Sequence, residues 1–167
     1  MGDKKRLAKK AKQVRMLLLD VDGVMTDGGI YYSADGVEMK RFNAQDGYGV
    51  VLARENGLKI GIISGRTTPI VEARMKDLNV DEVIQGSMDK VTALRGIQKR
   101  HSLTDDEIAF MGDDLFDLPL LHAVGLSAAP RNARPEVKES VDYVAKADGG
   151  NGAVREFVEF ILRHQLV

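Results

Sequence analysis

The chain has 167 residues, of which 44% are hydrophobic and 29% charged, and its formal net charge is −1. This length and composition predict one globular domain over residues 1–167, large enough to bury a core. The absence of cysteine excludes disulfides, thiolate zinc sites and cysteine nucleophiles. No apolar run is long enough to cross a membrane, and no apolar stretch follows the basic N-terminus as in a secretory signal, so we expect a cytoplasmic protein.

The positive charge is concentrated at the N-terminus. Residues 1–15 hold seven basic side chains and one acid, a balance of +6, so residues 16–167 sum to −7. We interpret residues 1–14 as a solvated basic helix with Leu7, Ala11 and Val14 on its inner face. A nucleic-acid-binding arm is the alternative. Because the segment has no aromatic residue for base stacking, we expect neither nucleic acid nor a membrane as a partner.

After this helix, short apolar runs alternate with amphipathic helical patterns. The predicted strands are 14–21, 58–63, 82–84, 108–111, 124–128 and 143–145. Three of these runs are nearly continuous, which is typical of strands buried on both faces of a parallel sheet. Strands that alternate with helices predict an α/β fold with a doubly wound parallel sheet.

Residues 28–43 break the alternation. Two strand-like arms flank Ala34-Asp35-Gly36, a sequence that favours a tight turn. We therefore predict a β-hairpin inserted into the α/β domain.

The residues that follow the strands are the candidates for chemistry, because ligands of open α/β sheets bind beyond the carboxyl ends of the strands. The first strand leads to Asp20 and Asp22, and the second to Ser64 and Arg66. The third leads towards Lys90. The fourth ends in Gly112-Asp113-Asp114, with Asp117 one turn later.

These residue types suit the hydrolysis of a phosphate ester. Asp20 can attack phosphorus as a nucleophile, while Asp22 protonates the leaving alcohol and then deprotonates water. Attack by an anion on a phosphate dianion needs charge neutralisation, which a Mg²⁺ ion bound to Asp20 and Asp113 would supply. Each cluster is a weak signal alone; their common position at strand ends makes the set specific.

Three further residues complete the predicted site. Ser64 can donate a hydrogen bond to a phosphoryl oxygen, and Lys90 can offset the charge of the phosphate. Asp117 can orient Lys90 or complete the outer shell of the metal.

The segment Asp20-Val21-Asp22-Gly23-Val24-Met25-Thr26 resembles the first motif of the haloacid dehalogenase superfamily. Ser64, Lys90 and Asp113-Asp114 resemble its second, third and fourth motifs. The resemblance implies a Rossmann-like fold, an aspartyl-phosphate on Asp20, a Mg²⁺ cofactor, and the backbone carbonyl of Asp22 as an additional metal ligand. An aspartate at the second acidic position of the first motif marks the phosphatases of this superfamily.

Four segments sharpen the resemblance, namely 23–28, 41–49, 64–66 and 149–156. They are similar to a family of phosphatases that act on an eight-carbon acidic sugar phosphate in lipopolysaccharide precursor synthesis. The similarity runs from about Arg15 to the C-terminus. It implies a homotetramer assembled through the β-hairpin.

The spacing of the motifs leaves no room for a cap domain over the site. Between Asp20 and Ser64 lie 43 residues, which the hairpin and one helix fill, and only 22 lie between Lys90 and Asp113. A bare site must be closed either by a macromolecular substrate or by neighbouring subunits. The apolar residues of the hairpin favour neighbouring subunits, because pairing hairpins would bury them.

Arg66 and Arg74 are candidates for substrate binding. Arg66 follows the phosphate-binding serine, and its guanidinium suits a sugar carboxylate or, alternatively, a salt bridge at a helix start. Arg74 lies eight residues further on, and we expect it two helical turns along the same face, as a weaker candidate.

The competing substrate is a nine-carbon acidic sugar phosphate. In related phosphatases of such sugars this position tends to hold an acid, so the resemblance implies that Arg66 favours the eight-carbon substrate. Two further classes of protein fit parts of the pattern: a phosphatase of nucleic-acid ends, and a non-catalytic receiver domain that accepts phosphate on aspartate. Asp22 lies where it can protonate a leaving group. We therefore favour an enzyme that turns over its substrate over a non-catalytic receiver domain.

Overall fold

The computed structural model describes residues 2–165 and contains a parallel six-stranded sheet. The strands of the chain are β1 (Met16–Leu19), β2 (Tyr31–Tyr32), β3 (Glu38–Met39), β4 (Lys59–Ile63), β5 (Glu82–Ile84), β6 (Ile108–Met111), β7 (Leu126–Ala129) and β8 (Tyr143–Val144). The order in the large sheet is β5-β4-β1-β6-β7-β8, and every pairing is parallel. The predicted α/β fold is confirmed.

Helices cover both faces of this sheet. They are α1 (Gly2–Gln13), α2 (Ala44–Glu55), α3 (Pro69–Asp77), α4 (Lys90–His101), α5 (Leu118–Leu121), α6 (Pro135–Ser140) and α7 (Ala153–Gln165). Leu17 and Leu19 of β1 pack in the cluster that α1, α2, α3 and α7 cover, whereas Met16 and Leu18 pack with α4, α5 and α6. Successive side chains of a strand point to opposite faces, so β1 is buried on both sides.

Strand ends differ from the prediction by a few residues. The strands at 82–84 and 108–111 have the predicted bounds, while the first predicted strand, 14–21, is reduced to the four residues of β1. Its last residues leave the sheet because the backbone turns there: the amides of Val24, Met25 and Thr26 all donate to the carbonyl of Val21. This turn carries Asp22 away from the sheet.

The basic segment forms α1, and it packs on the protein. Ala11 and Val14 are buried and Leu7 is partly buried, as the pattern predicts. The Nζ atom of Lys10 lies 2.6 Å from a carboxylate oxygen of Asp142. Within residues 2–165 no helix is both long and apolar enough to span a bilayer.

The predicted hairpin forms from β2 and β3. Tyr31 pairs with Met39 in antiparallel register, and Gly36 in the turn has a φ of +81°, a conformation that glycine adopts without strain. A bridge between Thr26 and Phe42 brings the two ends of the insert side by side. The hairpin thus leaves the domain and returns to it at one point.

No described residue forms a second domain over the carboxyl edge of the sheet. Residues 21–63 are accounted for by the turn after β1, the hairpin, α2 and β4, and residues 91–112 by α4, a 3₁₀ turn and β6. The absence of a cap, which the spacing of the motifs predicts, holds throughout residues 2–165.

Candidate active site

One cavity of about 190 Å³ lies at the carboxyl ends of β1, β4 and β6. Its lining comprises Asp20, Asp22, Ser64, Gly65, Arg66, Lys90, Asp113, Asp114, Phe116 and Asp117. The sheet therefore brings together the predicted site residues, with the exception of Arg74. Three larger surface depressions lie beside α3, beside α2 and beside the start of α4, and none is lined by such a group of acids.

Lys90 joins two of these acids. Its Nζ atom lies 2.8 Å from Oδ1 of Asp20 and 2.6 Å from Oδ1 of Asp117, and its side chain is buried. Burial by itself would lower the pKa of Lys90, but the negative charges of Asp20 and Asp117 outweigh it and raise the pKa above its usual value. Lys90 therefore remains a cation, and it holds one oxygen of Asp20 in place.

The position of Lys90 follows from the start of α4. Lys90 is the first residue of this helix, and the carboxylate of Asp89 before it accepts a hydrogen bond from the amide of Thr92 at 2.9 Å. Such a side-chain cap fixes where a helix begins. The capped start of α4 thereby points the lysine side chain into the cavity.

Asp117 is buried and uses both carboxylate oxygens. Oδ1 accepts from Lys90, and Oδ2 accepts from the backbone amides of Asp113 at 3.0 Å and Asp114 at 3.3 Å. These bonds fold the chain tightly after β6. Asp117 thus orients both Lys90 and the turn that carries Asp113.

Asp20, Asp113 and Asp117 concentrate negative charge. Each offers one carboxylate oxygen, and these oxygens lie within 4.8 Å of one another. Burial raises the pKa of Asp113 to about 8, helped by the charges of Asp20 and Asp117. Burial likewise raises the pKa of Asp20 to about 6, although Lys90 opposes this shift.

This charge imbalance fits a divalent cation. Removing three carboxylates from water around one ammonium group is unfavourable unless further positive charge is bound. The available ligands are carboxylate and carbonyl oxygens, which suit a hard ion such as Mg²⁺. The donor set of this structure therefore matches the cofactor that the sequence predicts.

Ser64 lies at the end of β4 and is buried. Its amide donates to the carbonyl of Ile84 at 2.9 Å, and its Oγ accepts from the amide of Arg66 at 3.3 Å. The hydroxyl hydrogen is not used by that bond, so Ser64 can donate it to a group in the cavity.

Two residues of the hairpin, Glu38 and Lys40, contact Arg66 and Asp22 of the cavity lining, and neither was predicted from the sequence. Glu38 Oε1 lies 3.0 Å from Nη2 of Arg66 and 3.3 Å from Nζ of Lys40. Lys40, whose side chain is 1% exposed, also forms a close ion pair with Asp22. Nη1 of Arg66 lies 4.0 Å from Asp22 Oδ2 and has no hydrogen-bond partner. The side chains of Asp22, Lys40, Glu38 and Arg66 therefore form a ring in which negative and positive charges alternate.

A signal for these residues was present in the sequence. Glu38 and Lys40 alternate with Val37 and Met39, so the two charged side chains share one face of the strand and the two apolar ones the other. Val37 is 58% exposed and Met39 50%, whereas Glu38 and Lys40 face inwards. The alternation indicates that Glu38 and Lys40 share one face of the hairpin, but not which part of the protein that face contacts.

Arg74 lies outside the cavity. Its guanidinium carbon is 5.7 Å from the centre of the Phe42 ring and packs towards Gly47 of α2. The expected helical spacing from Arg66 is wrong, because α3 begins only at Pro69 and Arg66 belongs to the turn before it. A substrate role for Arg74 has no support in this position.

The described fold and site are those of a haloacid dehalogenase-like hydrolase, and the model of that family matches residues 79–157. The chain is 40% identical over 156 residues to 3-deoxy-D-manno-octulosonate 8-phosphate phosphatase KdsC of Escherichia coli K12. The aligned region covers 93% of this chain and 83% of the relative. The chain therefore belongs to the 3-deoxy-D-manno-octulosonate 8-phosphate phosphatase family of the haloacid dehalogenase superfamily.

Solved structures agree with this membership. The phosphatase of this name from Moraxella catarrhalis, in complex with magnesium, phosphate and KDO, superposes with a TM-score of 0.94 at 38% identity, covering 97% of this chain and 93% of that chain. The cobalt-bound form of the deoxy-D-mannose-octulosonate 8-phosphate phosphatase from Haemophilus influenzae gives 0.90 at 36% identity, covering 93% and 91%.

We predict that Mg²⁺ binding releases protons. Because Asp113 has a raised pKa of about 8, its carboxyl is largely protonated at pH 7 without a cation, and a bound cation favours the charged form. Calorimetry in buffers of different ionisation enthalpy should show about one proton released per site at pH 7, and the apparent affinity should rise with pH between 6 and 8. Binding without proton release would contradict the pKa of Asp113.

Proposed function

We propose that this chain is a Mg²⁺-dependent phosphatase that releases phosphate from 3-deoxy-D-manno-octulosonate 8-phosphate in lipopolysaccharide precursor synthesis. The observation that carries the proposal is the position of Asp20, which Lys90 holds at the cavity beside Asp113. The relatives that carry this substrate in their names match almost the whole chain. A cytoplasmic location and a single domain over residues 1–167 remain predictions.

Asp20 starts the reaction as the nucleophile. Lys90 binds Oδ1, so Oδ2 is left to attack phosphorus. The new bond joins this oxygen to phosphorus while the bond from phosphorus to the sugar oxygen breaks. Asp22, two residues further on, gives a proton to the departing oxygen, so the sugar leaves with a neutral hydroxyl group at that position.

Water then completes turnover. Asp22 takes a proton from a water molecule, the water oxygen bonds to phosphorus, and the bond to Asp20 breaks to release inorganic phosphate. Ser64 donates its hydroxyl hydrogen to a phosphoryl oxygen, and Lys90 offsets negative charge in both steps. Magnesium, for which Asp20, Asp113 and the Asp22 carbonyl are the proposed ligands, supplies further positive charge to the phosphoryl group.

Arg66 is the proposed contact for the sugar carboxylate. It lies on the cavity, 37% of its side chain is exposed, and Nη1 lacks a hydrogen-bond partner. Lys90 and the metal already serve the phosphoryl group, so a second anion of the substrate can use Arg66. Glu38 Oε1 lies 3.0 Å from Nη2, so an ion pair holds that end of the guanidinium.

We also propose that the hairpin joins subunits into a homotetramer. The hairpin carries five apolar side chains that are 43 to 61% exposed: Ile30, Tyr31, Tyr32, Val37 and Met39. A two-stranded sheet is marginal alone in water, and pairing hairpins would bury this surface. The same contact would bring a neighbouring subunit close to the open cavity.

The substitution Asp20→Asn tests the proposed nucleophile. The amide cannot act as the nucleophile, so phosphate release should fall by about a thousandfold or more while the protein stays folded. Assays should compare the octulosonate 8-phosphate with a nine-carbon acidic sugar 9-phosphate and neutral sugar phosphates. Wild-type protein should prefer the first.

The matched control for this experiment is Asp106→Asn, an exposed carboxylate away from the cavity, which should keep full activity. A tenth of the wild-type rate in Asp20→Asn would refute the nucleophile. Preference for the nine-carbon substrate would refute the proposed substrate but leave the chemistry standing.

Arg66→Ala should weaken use of the octulosonate phosphate by about 10- to 100-fold in kcat/KM, the scale of one charge-assisted contact. Hydrolysis of an aryl phosphate, which has no carboxylate, should change little. Arg74→Ala should leave the ratio between the two substrates unchanged, because Arg74 lies outside the cavity. An equal loss for both substrates in Arg66→Ala would place Arg66 in the phosphate site or the fold.

Tyr32→Glu should reduce the molecular mass measured by light scattering from that of four chains to that of fewer. The substitution places a charge among the exposed apolar side chains of the hairpin, where Tyr32 is 61% exposed. Val83→Glu, at an exposed apolar residue of β5, should leave the mass unchanged. A monomeric wild-type protein would overturn the proposed assembly.

A further inference from the structure

The tail segment 149–156 resembles the family, yet the proposed chemistry uses none of its residues. In the structure this segment forms the turn that leads into α7. The carbonyl of Val24 accepts a hydrogen bond from the amide of Gly150 at 2.9 Å. The turn therefore lies directly behind the loop that follows Asp20 and Asp22.

The contact between the two backbones is closer than any side chain would allow. A Cβ atom at Gly149 would lie 1.7 Å from the carbonyl oxygen of Gly23 and 2.6 Å from its carbonyl carbon. A Cβ atom at Gly150 would lie 2.4 Å from the backbone of both Thr26 and Asp27. The turn and the loop are packed backbone on backbone.

Gly23 in turn packs against an acid of the cavity. A Cβ atom at Gly23 would lie 2.1 Å from Oδ2 of Asp113 and 2.5 Å from its Cγ. Gly149, Gly23 and the Asp113 carboxylate are thus stacked in order, with no space between the layers. A shift of Gly149 towards the cavity would move Gly23 against Asp113.

Both ends of this stack are anchored. The amide of Gly149 donates to Oδ1 of Asn132 at 2.9 Å, and the amide of Arg134 donates to the carbonyl of Asp113 at 2.9 Å, so one short loop holds both layers. On the other side, the buried carboxylate of Asp46 accepts from the amides of Gly152 at 3.1 Å and Arg155 at 2.9 Å. Asp46 thereby fixes the point at which α7 begins.

We propose that Gly149 is a positioning residue for the metal site: through Gly23 it sets the distance between the Asp113 carboxylate and the loop that carries Asp20 and Asp22. The inference rests on the proposed function, because it assigns Asp113 and that loop to Mg²⁺. Its physical basis is that close-packed groups transmit a displacement and do not absorb it. Groups behind metal ligands control affinity by orienting them.

The test is Gly149→Ala. Gly149 does not have a positive φ, so alanine adds no strain of that kind, and its Cβ atom would meet the backbone of Gly23 and, at 3.2 Å, the amide nitrogen of Val24. The dissociation constant for Mg²⁺, measured by calorimetry without substrate, should rise by about 10- to 100-fold. Activity should be low at limiting Mg²⁺ and recover in excess Mg²⁺, whereas a merely structural defect would not respond to the ion.

The matched control is Gly96→Ala in α4. Its Cβ atom would lie 3.3 Å from the mobile end of the Arg100 side chain, so Mg²⁺ affinity should stay at the wild-type value. Asp46→Asn is the second variant in case Gly149→Ala does not fold. It loosens the same turn at its other anchor and should weaken Mg²⁺ binding by about fivefold, the scale of one helix cap.

A folded Gly149→Ala protein with Mg²⁺ affinity within twofold of wild type would overturn the proposal. If Gly149→Ala does not fold, unchanged affinity in Asp46→Asn would overturn it. A wild-type protein that binds no Mg²⁺ would overturn both this proposal and the metal site. A wild-type protein that binds Mg²⁺ but hydrolyses no sugar phosphate would refute the proposed function alone, and the Mg²⁺ titrations would still decide the role of Gly149.

Discussion

The buried ammonium group of Lys90 faces three carboxylates at the carboxyl edge of the sheet, and the arrangement around it depends on keeping them together. The parallel register of β1 with β6 brings Asp20 beside Asp113, and the capped start of α4 brings Lys90 between Asp20 and Asp117. Such a cluster costs stability, because the carboxylates lose water and repel one another. The two apolar layers on either side of β1 offset that cost. The fold thus stabilises a charge imbalance that a cation can relieve.

Much of this edge could be predicted from sequence, because it depends on a simple rule. Carboxyl ends of parallel strands meet on one side of a sheet, so Asp20, Ser64 and Asp113 converge whatever the details of the helices. The order of apolar runs and acidic turns carried that information. The exact ends of the strands were harder to predict, because the turn after β1 depends on hydrogen bonds to the carbonyl of Val21.

Contacts between elements far apart in the chain could not be predicted in the same way. Glu38 and Lys40 reach Arg66 and Asp22 only because the hairpin folds back over the cavity, and that direction is not encoded by a strand pattern. The backbone packing of Gly149 on Gly23 could not be predicted for a similar reason, because the sequence does not indicate which backbone a glycine contacts. For Arg74 the prediction was wrong for a different reason. The helical spacing was counted from Arg66, but α3 begins only at Pro69.

The hairpin has a further consequence that follows from the bridge between Thr26 and Phe42. Because this bridge closes the insert at its base, the segment between the two residues is a detachable cassette: its ends lie side by side, and the parallel sheet does not run through it. The residues that act on the phosphoryl group and the leaving group lie outside the cassette, whereas the cassette supplies Glu38 and Lys40, which pair with Arg66 and Asp22, and the proposed contact between subunits. Replacing this one short stretch of chain would therefore change the proposed assembly and the charges beside Arg66 and Asp22 together, while leaving in place the residues that break the phosphate ester.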